Sequence, residues 1–420
     1  MSPADREFDI VLYGATGYSG ALTAYYLAQV GTNARIALAG RNSERLLAVR
    51  ETLGRQAQDW PLVIADASKP STLRAMAART QVVATTVGPY QKYGLPLVEA
   101  CAGTGTDYAD LTGELMFFRN SIDLYHKQAV DTGARIVLSC GYDSIPSDLS
   151  VFQLYRRVAE DGAGELGDTN LVLRSFMQIG GSGGTIATYL GSMRTASLDA
   201  DVRRLIADPY TLTTDRPAEP ELGPQPDFLW RRGHLMAPEL AGYWVGGYIL
   251  APYNTRIVRR SNALQNWAYG RRFTYRETMS LGKSVAAPLA SAAVTGAVAG
   301  FIGLGNRYLS RLPQRTVERF APKSGFGPRE KNRRRGHYRF ETYTTTTSGA
   351  RYLATFGQRL DAYAGTAVML GESCLALALE RDGLSELRGV LTPAAAMGDV
   401  LLRRLPAAGV SMGTVRLASP

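Results

Sequence analysis

The stretch FDIVLYGATGYSG, residues 8–20, decides the fold of this chain. Its first seven residues form a short apolar run that ends at Gly14, which is typical of a buried parallel strand. A helix is predicted to begin at about Tyr18. Gly14, Gly17 and Gly20 lie at this strand–helix turn, where glycine lets the backbone approach a pyrophosphate and leaves helix N–H groups free to bind it. The spacing is GxxGxxG rather than GxGxxG. Dinucleotide binding is therefore predicted from the position of the motif, directly after the first strand and at the start of a helix. The alternative is a glycine-rich structural turn.

Strands and helices continue to alternate after this motif. Ser43 is predicted to cap the second helix. Such an alternation indicates a parallel sheet with right-handed crossovers, which is a doubly wound (Rossmann) α/β fold. The predicted strands after the first are residues 34–40, a run ending at Asp66, residues 82–86, part of TDYADLTGE, and residues 134–143.

The length of 420 residues predicts more than one domain. Residues 1–150 form the predicted dinucleotide-binding domain. Residues 151–360 form a predicted α+β substrate domain, which includes a Thr- and Tyr-rich β-hairpin from His337 to Gln358. Residues 361–420 are predicted to be a helical segment.

The net charge of +10 is concentrated in one segment. Residues 227–339 contain 20 Lys and Arg against 5 Asp and Glu, whereas the rest of the chain has 27 against 32. Such an excess suits an acidic partner: an anionic membrane face, an acidic carrier protein or nucleic acid. No nucleic-acid-binding motif accompanies it, so nucleic acid is not expected.

The cysteines indicate the compartment. Cys101, Cys140 and Cys374 are widely spaced and form neither a CxxC pair nor a His/Cys cluster, so neither a disulfide scaffold nor a metal site is expected. A reducing compartment fits this usage. The N-terminus lacks the basic region of a secretory signal. We therefore expect a cytoplasmic protein, and its basic segment would allow association with the inner face of the plasma membrane.

The end of the second strand discriminates between NAD and NADP. An NAD site has Asp or Glu there to bind the ribose 2′-hydroxyl. This chain has Gly40-Arg41-Asn42 instead, and a guanidinium in that place can bind a 2′-phosphate. The sequence therefore predicts NADPH, with a solvated Arg41 as the alternative. Asp66, after the third strand, is predicted either to contact the adenine or to serve as an ordinary helix cap.

Two further segments follow strands at the edge where ligands bind in such sheets. Residues 86–90 contain a Gly-Pro turn, and residues 139–148 bring hydroxyls and carboxylates to the same edge. In either segment, these residues could instead serve only to form a turn. The predicted cofactor-binding residues are Gly14, Thr16, Gly17, Tyr18, Gly20, Arg41, Asp66, Thr86 and Gly88.

Residues 284–306 contain no charged side chain. As a helix they would span about 34 Å, which is enough for a hydrocarbon core. They are rich in Ala and Gly, so three interpretations stay open: a buried helix or lipid-lined wall, an interfacial membrane contact, and a membrane span. Downstream, the loop Pro322–Gly336 is strongly basic. It is either solvated or a docking site for an acidic carrier protein or phospholipid headgroups.

Several of these motifs resemble the saccharopine dehydrogenase-like reductase superfamily. They are GATGYSG, LAGRN, VGPYQKYGLPLVEAC, DYADLTGE, CGYDSIPSD and GVLTPAAAMGD. Others are similar to the trans-acting enoyl reductases of mycobacterial phthiocerol and phenolphthiocerol dimycocerosate synthesis, and this resemblance runs nearly end to end. They are PYTLTTDR, PYNTRIVRRSNALQ, WAYGRRF, ETMSLGKS and GHYRFETYTTTTSGARY.

The resemblance implies an NADPH enzyme that reduces a double bond in a polyketide or fatty acyl chain held on a separate type I polyketide synthase. It also implies that the C-terminal helices pack back on the first domain. The expected partners are an acyl carrier domain, a lipidic acyl substrate and a membrane surface. The alternatives are a saccharopine-type amino-acid oxidoreductase and a non-catalytic NADPH-binding protein at a lipid surface.

Reduction of an α,β-unsaturated thioester moves a hydride to Cβ, and it needs a donor at the carbonyl oxygen and a proton at Cα. The resemblance supplies no catalytic residue. Tyr142 is the first candidate donor, because it follows the sixth strand, and Tyr90 is the second. Lys92 and Tyr93 come next. For each tyrosine the alternative is a packing or water contact at the sheet edge.

Overall fold

The structure, a computed structural model, describes residues 6–178, 199–308 and 327–418. These residues form fourteen strands and thirteen α-helices. The strands are β1 Phe8–Tyr13, β2 Ile36–Gly40, β3 Leu62–Ile64, β4 Thr80–Thr85, β5 Asp107–Asp110, β6 Arg135–Val137, β7 Leu166–Met177, β8 Arg231–Arg232, β9 Trp244–Gly247, β10 Thr274–Ser280, β11 His337–Thr346, β12 Arg351–Gln358, β13 Gly389–Leu391 and β14 Ser411–Leu417. The helices are α1 Tyr18–Gln29, α2 Ser43–Thr52, α3 Pro70–Ala78, α4 Tyr90–Tyr93, α5 Leu95–Thr104, α6 Leu115–Thr132, α7 Ile145–Glu160, α8 Ala200–Ala207, α9 Ala251–Leu264, α10 Ala287–Tyr308, α11 Glu330–Arg333, α12 Ala362–Leu379 and α13 Pro393–Ala407.

The first sheet is parallel and has the order β13-β6-β5-β4-β1-β2-β3. Its strands are almost continuously buried because helices cover both faces. The order reverses between β1 and β4, so the carboxyl ends of these two strands form the crevice in which such sheets bind ligands. The predicted doubly wound fold is confirmed.

The second sheet is mixed and has the order β14-β12-β11-β7-β10-β9-β8. Strands β11 and β12 form the predicted antiparallel hairpin, with Tyr338 paired to Gln358. Strands β7 and β10 are the parallel pair of this sheet. Helices α7 and α9 pack on the second sheet and on each other, and side chains of α9 reach the first sheet, where Arg260 donates to the Val390 carbonyl.

The C-terminal segment joins both halves of the protein. Helix α12 packs along α1, where Gly371 gives the ring of Tyr26 room to approach. The C-terminal helices therefore pack back on the first domain, as the resemblance implies. In addition, β13 extends the first sheet and β14 extends the second, and neither strand was expected from the sequence. The boundaries proposed at residues 150 and 360 stay predictions.

Two helices are relevant to the question of membrane contact. Within the described residues, α12 is long and apolar enough to cross one by length and composition, but 83% of it is buried, as in the core helix of a globular protein. Helix α10 packs one face on β9, where Ser291 donates to the Val245 carbonyl (2.8 Å) and Gly247 N–H donates to Thr295 (2.9 Å). The opposite face of α10 contains exposed residues from Leu289 to Ala299.

Candidate cofactor and substrate site

The turn between β1 and α1 is held tightly by the end of β4. Gly14 has a φ of +92°, a conformation that L side chains rarely adopt. A Cβ at Gly14 would lie 2.8 Å from Thr86 Oγ1, and one at Gly20 would overlap the Gly14 carbonyl oxygen. The Thr86 hydroxyl donates to that same carbonyl at 3.1 Å. Gly14 and Gly20 are therefore required by the packing of the turn itself.

Gly17 has a different environment. The nearest atom to a Cβ built there is the Gly14 carbonyl oxygen, at 3.3 Å. Gly17 is also the N-cap of α1, with no side-chain cap and no acidic residue in the first turn. The first N–H groups of α1 are therefore available to an anion and carry the positive end of the helix dipole. This turn fits the pyrophosphate of a dinucleotide, and Thr16 is exposed at its tip.

The end of β2 fits a 2′-phosphate. Arg41 is exposed directly after Gly40, and no carboxylate takes the place that an NAD site would use. Asn42, rather than Ser43, caps α2 by accepting the Arg45 N–H at 2.8 Å, so the predicted cap was wrong by one residue. Helix α2 thus begins two positions after Arg41, which leaves the guanidinium outside the helix.

Asp66 lies close to Arg41 at the end of β3. Its Oδ1 accepts the Ser68 N–H and hydroxyl, both at 2.9 Å. These hydrogen bonds, together with the charge of Arg41, lower the pKa of Asp66. The carboxylate therefore organises its own turn, and a contact with the adenine stays a prediction.

A residue of the second half reaches the cofactor turn. The Tyr18 hydroxyl donates to the Pro328 carbonyl (2.6 Å), and Arg333 Nη1 donates to both that carbonyl (2.9 Å) and the Tyr18 oxygen (3.3 Å). The ring of Tyr18 also contacts Tyr363 edge to face, with centroids 5.3 Å apart. Arg333 is thus positioned beside the dinucleotide turn, a role that its place in a basic run did not indicate. Residues 322–326 of that run lie outside the described residues.

Tyr90 is buried where β4 and β5 end. Its hydroxyl donates to the Thr85 carbonyl (3.1 Å) and accepts the Leu111 N–H (3.2 Å). Glu114 holds the backbone below it by accepting the N–H groups of Tyr90 (2.7 Å) and Gln91 (2.8 Å). The only proton of the Tyr90 hydroxyl is therefore committed to the backbone. Gly88, just before, is exposed at the mouth of the same edge.

Tyr142 is buried after β6 within a cluster of aromatic rings. Its ring meets Tyr338 edge to face at 4.8 Å and stacks on Phe176 at 6.0 Å. Its hydroxyl interacts with that of Tyr248, and either of the two can be the donor. Burial nevertheless raises the pKa of Tyr142 well above the usual value. The Tyr142 hydroxyl therefore keeps its proton near neutral pH, and Tyr142 stays the predicted hydroxyl donor.

Tyr253, on α9, also reaches the first sheet. Its hydroxyl donates to the Thr112 carbonyl (3.1 Å) and lies 2.5 Å from Ser139 Oγ. The neighbouring Asp110 accepts N–H groups from Ser139 (2.9 Å) and Thr112 (3.0 Å). These contacts fix the ends of β5 and β6 against α9. Their long sequence separation hid Tyr253 and Tyr248 from sequence reasoning.

The site and fold define a class of protein. Residues 10–137 match the family model described as the saccharopine dehydrogenase NADP binding domain. Over 97% of its length the chain superposes on 99% of saccharopine dehydrogenase (L-Glu forming) from Saccharomyces cerevisiae, with a TM-score of 0.53 and 12% identity. It is thus an oxidoreductase built on an NADP-binding fold of the saccharopine dehydrogenase type.

Relatives of similar sequence define the class of protein more narrowly. The chain is 73% identical over 418 residues to a trans-acting enoyl reductase of Mycobacterium tuberculosis and 70% identical over 418 residues to one of Mycobacterium leprae, with 100% of both chains covered in each case. The chain belongs to the family of trans-acting enoyl reductases. The predictions of an enzyme, of NADPH and of the enoyl reductase class are confirmed.

Proposed function

We propose that this protein reduces a C=C bond of a polyketide or fatty acyl intermediate held on a separate type I polyketide synthase, in phthiocerol and phenolphthiocerol dimycocerosate lipid synthesis. The observation that carries the proposal is the 73% identity, over the full length, to trans-acting enoyl reductases. An open pyrophosphate turn and an exposed Arg41 support it. A saccharopine-type reaction is less well supported, because aromatic rings surround Tyr142 where an amino-acid substrate would require paired arginines.

The residues have separable tasks in this reaction. NADPH, when bound, supplies the hydride. The α1 N–H groups would hold its pyrophosphate, and Arg41 would hold the 2′-phosphate. The Tyr142 hydroxyl would donate to the thioester oxygen as negative charge develops there. Because Tyr142 is buried among rings, that hydrogen bond would form away from water and be strengthened by the low local dielectric.

Product mass tests this function directly. The purified synthase is supplied with its extender units and NADPH, with and without the protein. We expect the released acyl chain to gain two hydrogens when the protein is present. An unchanged mass, with NADPH binding intact, would refute the proposal.

A basic groove suits delivery of the substrate. A cavity of about 830 Å³ opens along the ends of β11 and β12. Its described lining contains no Asp or Glu, and Arg335 and Arg359 have no acidic partner among the described residues. Acyl carrier domains present acidic surfaces and a phosphate-bearing arm, so the groove is complementary to them. We therefore propose that it docks the carrier domain. The cationic lining residues are Arg334, Arg335, Arg339 and Arg359.

Replacing Arg334 and Arg335 together by glutamine should slow turnover of carrier-bound substrate several-fold at low salt and flatten its salt dependence. Steering by surface charge raises the encounter rate and is screened over about 8–10 Å at physiological salt. Turnover of a short soluble thioester should be unchanged. Arg333 is left intact because it contacts Tyr18 beside the cofactor turn.

The matched control removes the same charge elsewhere, with Arg55→Gln and Lys127→Gln on exposed parts of the first domain. Stopped-flow rates on both substrates discriminate the cases. Wild-type rates for the double variant on the carrier-bound chain would exclude the docking role. The delivery surface would then be sought at α10.

The exposed face of α10 supports contact with a lipid surface as well. Leu289 is 77% exposed, and Val285, just before α10, is 99% exposed; no atom of the described residues lies within 4 Å of a Cβ built at Gly296 or Gly300. Lys283 is exposed beside this face. An apolar surface flanked by a cation is typical of an interfacial helix. We therefore propose that the protein is cytoplasmic and meets the inner face of the plasma membrane through α10.

A further inference from the structure

Within the described residues, hydrogen bonds hold the buried carboxyl groups, as four examples show. Asp110 and Glu277 are typical: Asp110 accepts from Tyr108 (2.8 Å) and two N–H groups, and Glu277 from Asn254 (3.0 Å) and Tyr275 (2.8 Å). The other two, with their donors, are Asp107 with Arg135 N–H and Arg381, and Asp148 with Ser261 and Ala394 N–H. These four groups are structural.

Asp143 is the exception. No described residue donates a hydrogen bond to its carboxylate, although the side chain is half-buried. It lies in the turn after β6, at the carboxyl edge of the first sheet. Its Oδ2 is 3.7 Å from where a Cβ would stand on Gly113, in the loop after β5. Asp143 therefore lies at the part of the crevice that the loops after β5 and β6 border, where its charge interacts with Tyr142.

An unpartnered carboxyl group in that place has a chemical use. Enoyl reduction delivers a hydride to Cβ and leaves an enolate that must take a proton at Cα. Tyr90 cannot supply that proton, because its hydroxyl is bonded to backbone. Tyr142 is suited to the carbonyl oxygen. A second donor is thus needed within the same crevice.

We propose that Asp143 is the general acid that protonates Cα of the enoyl thioester, an inference that rests on the proposed function. The hydride forms the new C–H bond at Cβ while the C=C bond gives up its π electrons to the thioester carbonyl. The enolate then takes the Asp143 proton at Cα, and the carbonyl re-forms. Asp143 is left as a carboxylate, and it is reprotonated from solvent through its exposed side.

The surroundings of Asp143 suit that role. Burial raises the pKa of Asp143 to about 6, so the acid form is populated near neutral pH, where general acids work best. Among the described residues, no cation is one of the ionisable groups around this part of the cleft, so none of these groups stabilises the carboxylate. These groups are Asp110, Glu114, Tyr142, Tyr248, Tyr253, Glu277 and Tyr338.

The acid role of Asp143 determines how activity depends on pH. The acid form is lost as pH rises, so wild-type kcat/KM on a soluble enoyl thioester should fall above about pH 6. Asp143→Asn should lower kcat at pH 6 by about 100-fold or more, with the NADPH Kd unchanged. It should also remove the fall of the pH–rate profile above pH 6, which is its descending limb. Asp143→Glu should restore the limb at a reduced rate. Deuterium from D₂O should enter Cα in the wild-type product.

Asp148→Asn is the control for a buried carboxyl group, since burial also raises the pKa of Asp148 to about 7. Its stability should change, but its descending limb should stay. NADPH titration shows that each variant is folded. If wild type reduces the thioester and Asp143→Asn keeps both its rate and its limb, the acid role is refuted. If wild type does not reduce the thioester, the proposed function and this inference fail together.

Discussion

Gly17→Val is expected to weaken NADPH binding by more than about 100-fold while the protein stays folded. A branched side chain would stand where the pyrophosphate approaches the α1 N–H groups, and each charge-assisted hydrogen bond lost is worth about 1.5–3 kcal/mol. The fold should survive, because the one close contact of the new Cβ, 3.3 Å from the Gly14 carbonyl oxygen, is relieved by a shift of a few tenths of an ångström. Fluorescence titration with NADPH measures the affinity, and circular dichroism checks the fold.

Two further glycine variants make this result interpretable. Gly296→Val changes a helical glycine in open space on α10, and it should leave NADPH affinity unchanged. Gly20→Ala should cost both affinity and stability, since its Cβ overlaps the Gly14 carbonyl oxygen. Retained affinity in Gly17→Val would mean that the turn is structural.

The first sheet could be predicted because its signals are local. Each of β1, β2 and β4 is an apolar run followed by a turn, and the glycine motif fixes the first crossover. The predicted order of strands and helices therefore agrees with the structure up to α7. The error at the α2 cap is of one residue, and it arose because Asn42 and Ser43 are both good capping residues.

The C-terminal strands could not be predicted in this way. β13 has three residues, too few to show a period. β14 pairs with β12 but alternates between exposed and half-buried residues, because it lies at the edge of its sheet. Both strands form through pairing with distant segments, which a single sequence does not reveal.

The basic segment was only partly what its composition suggested. Arg256, Arg259 and Arg260 contribute to the excess of residues 227–339, yet all three are buried on α9. Arg260 donates to the carbonyls of Leu212 and Val390, far away in the sequence. The charge available to a partner is therefore smaller than the sequence count. Charge counting cannot separate exposed arginines from those that hold a core together.

The candidate site, too, could be predicted only in part from the sequence. The cofactor residues follow strand ends and were found from their positions. Asp143 lies in a motif that had been noted for its hydroxyls and carboxylates, but its lack of a hydrogen-bond partner is a property of the folded protein. Tyr248 and Tyr253 precede or begin α9, and only tertiary packing brings them to β5 and β6.

Asp227 is the group that compensates part of this buried charge. Its carboxylate accepts from Arg256 and from the Thr255 hydroxyl (2.7 Å), and Arg259 lies 3.9 Å away. The side chains of Arg256 and Arg259 are only 4% and 2% exposed. Burial and the neighbouring Arg256 lower the pKa of Arg259 to about 10, so the cost of holding two cations there is large.

Asp227→Ala should therefore lower the free energy of unfolding by about 3–5 kcal/mol, because it leaves two buried guanidinium groups without a counter-charge. Urea denaturation measures the loss. Asp201→Ala removes an exposed partner of Arg204 and should change stability by less than about 0.5 kcal/mol. A loss below about 1 kcal/mol in Asp227→Ala would mean that backbone carbonyls suffice for these arginines. Because α9 also carries Tyr253 to the crevice, a destabilised α9 should weaken substrate turnover before the protein unfolds, whereas NADPH binding at the β1–α1 turn should persist.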